Sequence, residues 1–300
     1  MPELPDVEVY LAALRDRVMG DHLSAIHLRN PFILRSVTPP LADAAGKRVM
    51  GIHRLGKRIV LALEGDLFAV IHLMIAGRLR WYPLGKPVPK SVGLLVLEFS
   101  RGNLVLTEAG SKRRASLHPV AGEAGLAALN RGGLEVLDAT VEQFKEALQR
   151  ENHTLKRAMT DPRLLSGIGN AYSDEILHAA RLSPMKQTRQ LGDDEIARLF
   201  QVTRTTLTTW FERLKDEAAG GFPEGVTAFR PEMAVHGKFR EPCPVCGSPV
   251  QRIVYAENEV NYCATCQTGG KLLADRAWSR LMKEDWPRTL EELEEKTAKH

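Results

Sequence analysis

Four cysteines give the strongest local sign of chemistry in this sequence. They form two C-x2-C pairs, Cys243 with Cys246 and Cys263 with Cys266, separated by sixteen residues. Two such pairs can hold four thiolates tetrahedrally around one zinc ion. Free thiols or two disulfides are the alternative, but four clustered cysteines are too few to staple 300 residues. Because four cysteine ligands leave no open coordination position, the sequence predicts one structural zinc ion.

A second candidate is the glycine-containing turn Leu165–Asn170, which leads into a helix predicted over Ala171–Ala180. Backbone N–H groups and the partial positive charge at a helix N-terminus can bind phosphate together. Glycines in this position also serve simply to make the turn. Because the helical segment Thr154–Met159 precedes the turn, the whole element could contact a nucleic-acid backbone.

The third candidate is the amino terminus, where Pro2 and Glu3 follow Met1. Methionine before proline is normally removed, which would leave Pro2 as a secondary amine with a pKa of about 8. Such an amine can attack an aldehyde-like carbon and form an iminium ion that promotes elimination. Glu3 is a neighbouring acid or base. The structural alternative is that the prolines only lead into the first helix.

The elements that must position these groups begin with a helix, predicted by apolar residues at helical spacing from Val7 to Val18. Short apolar segments separated by turn residues follow, and they predict a β-sandwich or barrel on which the helix packs. The seven predicted strands are His22–Leu28, Lys47–His53, Arg58–Leu63, Leu67–Leu73, Arg78–Tyr82, Leu94–Phe99 and Leu104–Thr107.

Beyond residue 121 the apolar period changes to that of helices. The stretch Ala121–Gly133 begins with small residues and is predicted as a hinge. The predicted helices are Val141–Leu148, Thr154–Met159, Ala171–Ala180 and Asp194–Lys215. The predicted domains are 1–125, 135–232 and 236–270, followed by a helical extension over 271–300.

Composition limits the function classes. The chain has 44% apolar and 26% charged residues, a formal charge of +4 and a pI near 8.9. These values are typical of globular proteins and exclude disordered and collagen-like classes. No apolar run approaches the roughly 18 residues of a membrane helix, so we expect no membrane partner. The amino terminus lacks a signal-peptide pattern, which predicts a cytoplasmic protein. A slight basic excess is compatible with a polyanionic partner.

Taken together, these features resemble the formamidopyrimidine-DNA glycosylase and endonuclease VIII family of base-excision repair enzymes. The likeness lies in residues 1–8, Gly56-Lys57-Arg58, His72–Gly77, Lys156–Pro184 and Gly237 through the cysteines. The resemblance implies an α+β multidomain fold with an N-terminal β-sandwich and packed helix, a helix-two-turn-helix domain and a C-terminal zinc ribbon. It also implies a monomer, nucleoid-associated as in bacteria, with damaged double-stranded DNA between two lobes.

The resemblance assigns chemistry to three residues. Pro2 matches the family nucleophile, which attacks the sugar C1′ and displaces the base. Glu3 would protonate the sugar ring oxygen, and the iminium ion would allow β- and then δ-elimination. Lys57 matches a lysine that holds a phosphate at the lesion.

The resemblance also implies DNA contacts in the helical domain. Lys156 and Asn170, which follows Gly169, match phosphate contacts. Glu175 matches a helix glutamate that faces the DNA cleft, whereas Tyr172 is predicted to lie in the core.

The zinc ribbon departs from the family pattern at Asn258. Five residues before the third cysteine the family has an arginine that grips phosphates, and here Asn258 lies between Glu257 and Glu259. A neutral amide cannot replace the bidentate contacts of a guanidinium. We hypothesise that Lys271, or the stretch Lys112-Arg113-Arg114, compensates.

A second departure concerns the loop that fills the void left by a flipped base. The family's Asp-Pro-Arg-Arg-Phe type segment is replaced by residues 108–113, without an aromatic wedge. Ile75 or Met74 is therefore the predicted apolar wedge, and the preferred lesion and opposite base stay open. One alternative function is a damaged- or abasic-DNA-binding protein without base excision, which Asn258 favours. Another is a zinc-ribbon protein of transcription or translation, which would leave the amino-terminal motif unexplained.

Overall fold

The chain forms two compact units. One comprises Met1–Gly132 with Thr208–Ala228, and the other Gly133–Leu207 with Phe229–His300. The computed structural model describes residues 1–89, 93–109, 113–226, 229–255, 258–274 and 287–298. Lys112, one of the predicted DNA contacts, lies outside the described residues. The finer division into four domains stays a prediction.

Eight strands in the described residues of the first unit form two antiparallel sheets. The strands are β1 (Ala25–Leu28), β2 (Val49–Leu55), β3 (Arg58–Leu63), β4 (Leu67–His72), β5 (Gly77–Pro83), β6 (Leu95–Phe99), β7 (Gly102–Glu108) and β8 (Ser116–Ala121). The first sheet has the strand order β1-β6-β7-β5, and the second has the order β2-β3-β4-β8.

The core of this unit takes apolar side chains from both sheets and from helix α1 (Leu4–Val18). Alternate residues of each strand face it, for example Ile59 and Leu61 of β3. On α1, Val7, Leu11 and Leu14 are fully buried at the spacing of one helix face. The predicted sandwich with a packed helix is confirmed.

Two elements of this unit differ from the sequence prediction. Strand β8 was not predicted, and it pairs with β4 at the edge of the second sheet. It contains Pro119, which interrupts a strand pattern and is tolerated mainly at sheet edges. The predicted hinge is partly helical, since α2 spans Gly122–Ala127. Leu126 of α2 packs with Val60, Phe68 and Val70 on the outer face of the second sheet.

The second unit contains a group of helices and a ribbon. The helices are α3 (Val141–Gln149), α4 (Leu155–Thr160), α5 (Asn170–Ala179) and α6 (Asp193–Ala218), whose residues from 208 onward group with the first unit. The four helices predicted by apolar period are all present. The ribbon consists of β9 (Gln251–Tyr255), β10 (Asn258–Tyr262) and the short helix α7 (Ala264–Thr268).

The C-terminal extension is helical over α8 (Leu290–Ala298). The sequence predicted a helical extension over 271–300, of which residues 275–286, 299 and 300 lie outside the described residues. No helix in the described part of the chain combines the length and the apolar character needed to cross a bilayer.

Candidate functional site

The predicted catalytic residues Pro2 and Glu3 lie buried at the start of α1. Glu3 is only 2% exposed and is the N-cap of the helix. Its backbone N–H donates to Oδ2 of Asp6 at 2.9 Å, and the Glu3 side chain accepts from the backbone of Asp6 in a capping box. This reciprocal contact satisfies donors at the helix end. It fixes the Glu3 carboxyl beside the amino terminus.

The amino terminus lies in an environment that favours a neutral amine. Burial lowers the pKa of the Met1 amine, and the positive charges of Arg78 and Lys57 lower it further, against the opposing charges of Glu3 and Asp6. A lowered pKa increases the fraction of unprotonated amine near neutral pH, which is the nucleophilic form. The position therefore suits an amine nucleophile.

Lys57 lies at the tip of the two-residue turn between β2 and β3. Gly56 adopts φ +63° there, a conformation that glycine takes without steric cost. Arg54 ties this turn to α1, because its Nε donates to Glu8 Oε1 at 2.9 Å and its Nη1 donates to the Gly56 carbonyl at 2.9 Å. Through Arg54, helix α1 and the Lys57 turn are held together.

Ile75, the predicted wedge, lies in the tight turn between β4 and β5 and is 55% exposed. The turn closes when Gly77 N–H donates to the Leu73 carbonyl at 2.9 Å. A Cβ at Gly77 would lie 2.2 Å from that oxygen, so only glycine fits. Arg78 Nη1 donates to the carbonyls of Ile75 and Gly77. Arg78 thus supports the turn and also acts on the amino terminus, a role that the sequence analysis missed.

Arg113, another predicted DNA contact, lies exposed in the connection between β7 and β8. The Glu108 carboxylate accepts the backbone N–H groups of Arg114 and Ala115 at 2.8 to 3.0 Å. Glu108 is the first residue of the segment that departs from the family pattern. Its carboxylate therefore fixes the backbone of this connection at Arg114 and Ala115.

His72 is a further residue near Lys57 to which the sequence analysis gave no role. It lies at the end of β4, directly opposite Arg58 on β3 and Ser116 on β8. Burial and the positive charges of Arg58 and Lys57 lower the pKa of His72 to about 4. His72 is therefore neutral at physiological pH. The sequence motif His72–Gly77 indicated that this segment is functional, but only the structure shows that His72 lies opposite Arg58 and Ser116.

Replacing His72 with glutamine should flatten the dependence of stability on pH. Between the unfolded pKa of about 6.5 and the folded pKa, the unfolded chain binds more protons, so stability falls as pH decreases. Between about pH 7 and about pH 5, the free energy of unfolding of His72→Gln should fall by about 2 kcal/mol less than that of the wild type. Urea unfolding at both pH values measures it, with exposed His22→Gln as control. Equal pH dependence in wild type and His72→Gln would contradict the burial of a neutral imidazole.

In the second unit, Gly169 and Asn170 form the start of α5. Gly169 is the N-cap, and as a glycine it offers no side chain to cap this helix end. Gly167, at φ +79°, makes the preceding turn. The predicted helix start after a glycine turn is present in this segment, and its binding of phosphate stays a prediction.

Lys156, predicted to contact phosphate, lies buried against the same turn. Its Nζ donates to the Asn170 carbonyl at 2.7 Å, to Ser173 Oγ at 2.8 Å and to Asp174 Oδ1. All three hydrogens of an ammonium are satisfied by three acceptors. In this structure Lys156 holds the turn that carries Asn170.

Asp174 is the centre of a buried polar network that the sequence analysis missed. Its second oxygen accepts from His236 Nδ1 at 2.8 Å and from Asn261 Nδ2 at 3.2 Å. Asn261 belongs to β10 of the ribbon. The carboxylate therefore connects α4, through Lys156, with the ribbon.

The other residues of this unit that the resemblance singled out are Glu175, Lys271 and Asn258. The Glu175 carboxylate accepts backbone N–H groups of Ala234, Val235 and His236 at 2.7 to 2.9 Å. Burial raises the pKa of Glu175, against these hydrogen bonds. These contacts hold Glu175 within this unit at 7% exposure, and the expectation that it faces the DNA cleft stays a prediction. Lys271 lies exposed just after α7, and the side chain of Asn258 lies outside the described residues.

The four cysteines form a metal site in the ribbon. Their Sγ atoms all lie within 4.8 Å of one another, with 3.9 Å between Cys243 and Cys266 and 3.4 Å between Cys246 and Cys263. Zn–S bonds of about 2.3 Å in a tetrahedron require sulfur separations of about 3.8 Å. The donor set and the spacing fit one structural zinc ion, as the sequence predicted.

His178 of α5 supports this site from outside. Its Nε2 lies 3.3 Å from Cys243 Sγ, and the imidazole is buried. An N–H donated to a ligating thiolate orients the ligand and balances its charge. The contact also attaches the ribbon to α5.

Changing Cys263 to serine should release the zinc ion and disorder the ribbon. Structural zinc binding contributes about 10–16 kcal/mol to small ribbons, and one lost ligand removes most of it. Zinc content per chain and protease cleavage between 240 and 271 measure the effect. The control is Thr265→Ala, which removes only the exposed hydrogen bond to Ser248. Full zinc content in Cys263→Ser would contradict the four-cysteine site.

Family models match three successive parts of the chain. Residues 1–115 match the formamidopyrimidine-DNA glycosylase N-terminal domain, and residues 134–218 match its H2TH domain. Residues 240–269 match the zinc finger found in FPG and IleRS. The matches follow the order of the sandwich, the helices and the ribbon.

Known proteins match the chain over most of its length. The formamidopyrimidine-DNA glycosylase of Thermus thermophilus is 34% identical over 288 residues, which are 90% of this chain and 100% of that protein. The crystal structure of MutM (Fpg) from the same organism has a TM-score of 0.75 at 33% identity, covering 89% of this chain and 98% of that one. MutM in complex with DNA containing carbocyclic 8-oxo-G has a TM-score of 0.78 at 27% identity, covering 89% and 100%. Similarity of this extent confirms the resemblance seen in the sequence, and the chain belongs to the formamidopyrimidine-DNA glycosylase family.

Proposed function

We propose that this protein is a base-excision-repair DNA glycosylase with AP lyase activity that removes oxidised or ring-opened bases from double-stranded DNA. Relatives named as formamidopyrimidine-DNA glycosylases, and a solved relative bound to DNA that contains an 8-oxoguanine analogue, support it. The substrate is expected to be flipped from the stack, which costs least at damaged, poorly paired bases.

The first chemical step uses the amine of Pro2 once Met1 has been removed. The nitrogen lone pair attacks C1′ of the damaged nucleotide, the bond between C1′ and the base breaks, and the base leaves with that electron pair and with the proton released by the amine nitrogen. Glu3 donates a proton to the ring oxygen O4′ as the C1′–O4′ bond opens. The product is an iminium ion between Pro2 and C1′.

The iminium ion makes the following eliminations possible because it accepts electrons from the adjacent carbon. Loss of a 2′ proton expels the 3′ phosphate in β-elimination, and loss of a 4′ proton then expels the 5′ phosphate in δ-elimination. Water hydrolyses the iminium and regenerates the amine. Lys57 holds a phosphate of the damaged nucleotide during these steps.

The observation that carries this proposal is the contact from α1 to the Lys57 turn. Glu8 and the Gly56 carbonyl share the guanidinium of Arg54, so the helix that begins with the amine and Glu3 is fixed to the turn that bears Lys57. The charge of Lys57 also acts on the amino terminus. Pro2, Glu3 and Lys57, the groups proposed as nucleophile, acid and phosphate-binding cation, all belong to the first unit, which supports the proposal.

The remaining predicted residues have supporting roles in the proposal. Ile75 fills the space of the flipped base, and Gly169 with Asn170 contacts the backbone phosphate, while Lys156 positions that turn. Arg113 and Lys271 supply further phosphate contacts. The zinc ion holds the ribbon shape, and the protein acts as a monomer.

Borohydride trapping tests the proposal. Zinc-replete protein is incubated with duplexes that carry an abasic site, 8-oxoguanine or an oxidised pyrimidine, in the presence of borohydride. We expect a covalent adduct on abasic DNA and on at least one damaged base. The relative adduct yields on the 8-oxoguanine duplex and on the oxidised-pyrimidine duplex show which of the two lesions is preferred.

The alternative is a damage-binding protein that has lost base excision, and Asn258 in place of the family's arginine favours it. It predicts tight binding to abasic DNA with no adduct on any duplex. An adduct on abasic DNA alone would support the lyase step and contradict base excision.

A further inference from the structure

The C-terminal extension folds back onto the zinc ribbon. It follows the part of the chain that matches the zinc finger, and its described residues lie on both sides of 275–286. The Leu272 N–H donates to the Arg288 carbonyl at 2.8 Å. The Leu290 N–H, at the start of α8, donates to the Gly270 carbonyl at 3.2 Å. These hydrogen bonds pair the beginning of the extension with its later part, in antiparallel fashion, beside the ribbon.

Leu290 anchors the extension on the ribbon by an apolar contact. Its side chain is only 9% exposed. It belongs to a cluster whose other buried members all come from the ribbon: Ile253, Val260, Tyr262 and Ala264. Leu272 and Leu273 pack against the same cluster, and the Leu273 N–H donates to the Tyr262 hydroxyl at 2.8 Å. Burial of this apolar surface stabilises the docked extension through the hydrophobic effect.

The extension covers one face of the β9–β10 hairpin, and a helix of the same unit holds the other. Side chains alternate between the two faces of a strand, so Val260 lies on the face that Leu290 covers and Asn261 lies on the opposite face. Asn261 Nδ2 donates to Asp174 of α5 at 3.2 Å. The hairpin is therefore fixed from both sides, by Asp174 on one and by Leu290 on the other.

A hairpin that is ordered before DNA arrives binds at a lower cost. Association costs free energy for every loop and side chain that becomes ordered at an interface, and an element that is already ordered avoids this cost. This hairpin carries Asn258 in place of the family's arginine. Because an amide cannot make the charge-assisted contacts of a guanidinium, the ribbon has fewer contacts with which to offset an ordering cost.

We propose that the C-terminal extension positions the ribbon hairpin for DNA, with Leu290 as the positioning residue. The proposal rests on the proposed function, because it needs a DNA ligand. The extension contributes by reducing the ordering cost of the hairpin and not by a new phosphate contact. It offsets in part the guanidinium that is absent at Asn258.

Leu290→Ala tests the proposal in the full-length, zinc-replete protein. The shorter side chain leaves a void in the cluster and loosens the extension. We expect affinity for an abasic duplex to fall about 5- to 20-fold. Amide hydrogen exchange in residues 251–262 should become faster in the free protein and stay as in the wild type in the DNA complex. Because no phosphate contact is removed, the slope of log affinity against log salt should stay unchanged.

Three further variants make the comparison specific. Leu191→Ala removes the same side chain at a similarly buried position, 7% exposed, outside the cluster, and should leave affinity and hairpin exchange unchanged. Leu290→Met keeps the apolar contact and should behave as the wild type. If Leu290→Ala unfolds in a thermal scan, Tyr262→Phe decides, because it removes only the acceptor of the Leu273 N–H. It should weaken DNA binding about 2- to 10-fold.

Each outcome decides for or against the extension. Wild-type affinity in Leu290→Ala, or unchanged hairpin exchange, would overturn the proposal. Loss of zinc together with affinity would also overturn it, since the extension would then act on the metal site. A reduced salt slope would replace it with a direct phosphate contact. The wild type tests the chemistry separately: abasic DNA bound without a borohydride-trapped adduct would contradict the proposed function, while the affinity comparison would still decide the role of the extension.

Discussion

Replacing Pro2 with glycine is expected to lower the yield of borohydride-trapped adduct on abasic DNA about 100-fold or more. The secondary amine of Pro2 forms an iminium that is cationic without a further proton, whereas the primary amine of glycine forms an imine that must be protonated before it accepts electrons. The buried start of α1 also loses the ring that fixes the direction of the amine. The measurement is single-turnover trapping, with mass spectrometry to verify removal of Met1 from each protein.

The matched control is Pro5→Ala, which changes the neighbouring proline and leaves the amine intact. Pro5 lies in the first turn of α1, where alanine is acceptable and the substitution should change stability by about 1 kcal/mol or less. Its adduct yield should stay within about threefold of wild type, and affinity for abasic DNA should be unchanged in both variants. An adduct of wild-type yield from Pro2→Gly would remove Pro2 from the mechanism and direct attention to a lysine.

The sequence predicted most elements of the fold because their apolar periods agree with their burial. Strand β3, at Arg58–Leu63, was predicted with the limits observed, since it is bounded by turn residues and pairs on both sides. Strand β8 was missed because Pro119 and two polar residues on its outer face hide the alternation. Helix α2 was missed because its small residues resemble a hinge.

The chemistry of the site was predictable to different degrees. The cysteine spacing was sufficient for the zinc site, because all four ligands lie in two short knuckles. The roles of Lys156 and Glu175 depend on partners that lie far away in sequence. A charged residue on a helix usually faces solvent, so nothing in the local pattern of Lys156 indicated that Asp174 buries it. The role of Arg54 was equally unpredictable from the sequence, since its two acceptors, Glu8 and the Gly56 carbonyl, belong to helix α1 and to the turn between β2 and β3.

Replacing Asp174 with alanine is expected to reduce the stability of the second unit by about 3–5 kcal/mol. The Lys156 ammonium would stay buried with only neutral acceptors, the Asn170 carbonyl and Ser173 Oγ. His236 and Asn261 would lose their shared acceptor as well. Urea unfolding followed by circular dichroism measures the loss. The double variant Lys156→Met with Asp174→Ala should lose less than Asp174→Ala alone, because the unmatched charge is removed along with its partner.

Asp193→Ala is the matched control, since it removes the same type of side chain from an ion pair of similar length. Asp193 accepts from Lys145 Nζ at 2.6 Å, but its side chain is 85% exposed. Water and salt screen such a pair, so its loss should cost less than about 1 kcal/mol. Equal losses of unfolding free energy in Asp174→Ala and Asp193→Ala would mean that the buried network contributes no more to stability than a surface contact. A large cost at Asp174 alone, relieved in the double variant, would identify the carboxylate as the counter-ion that keeps Lys156 at the start of α5.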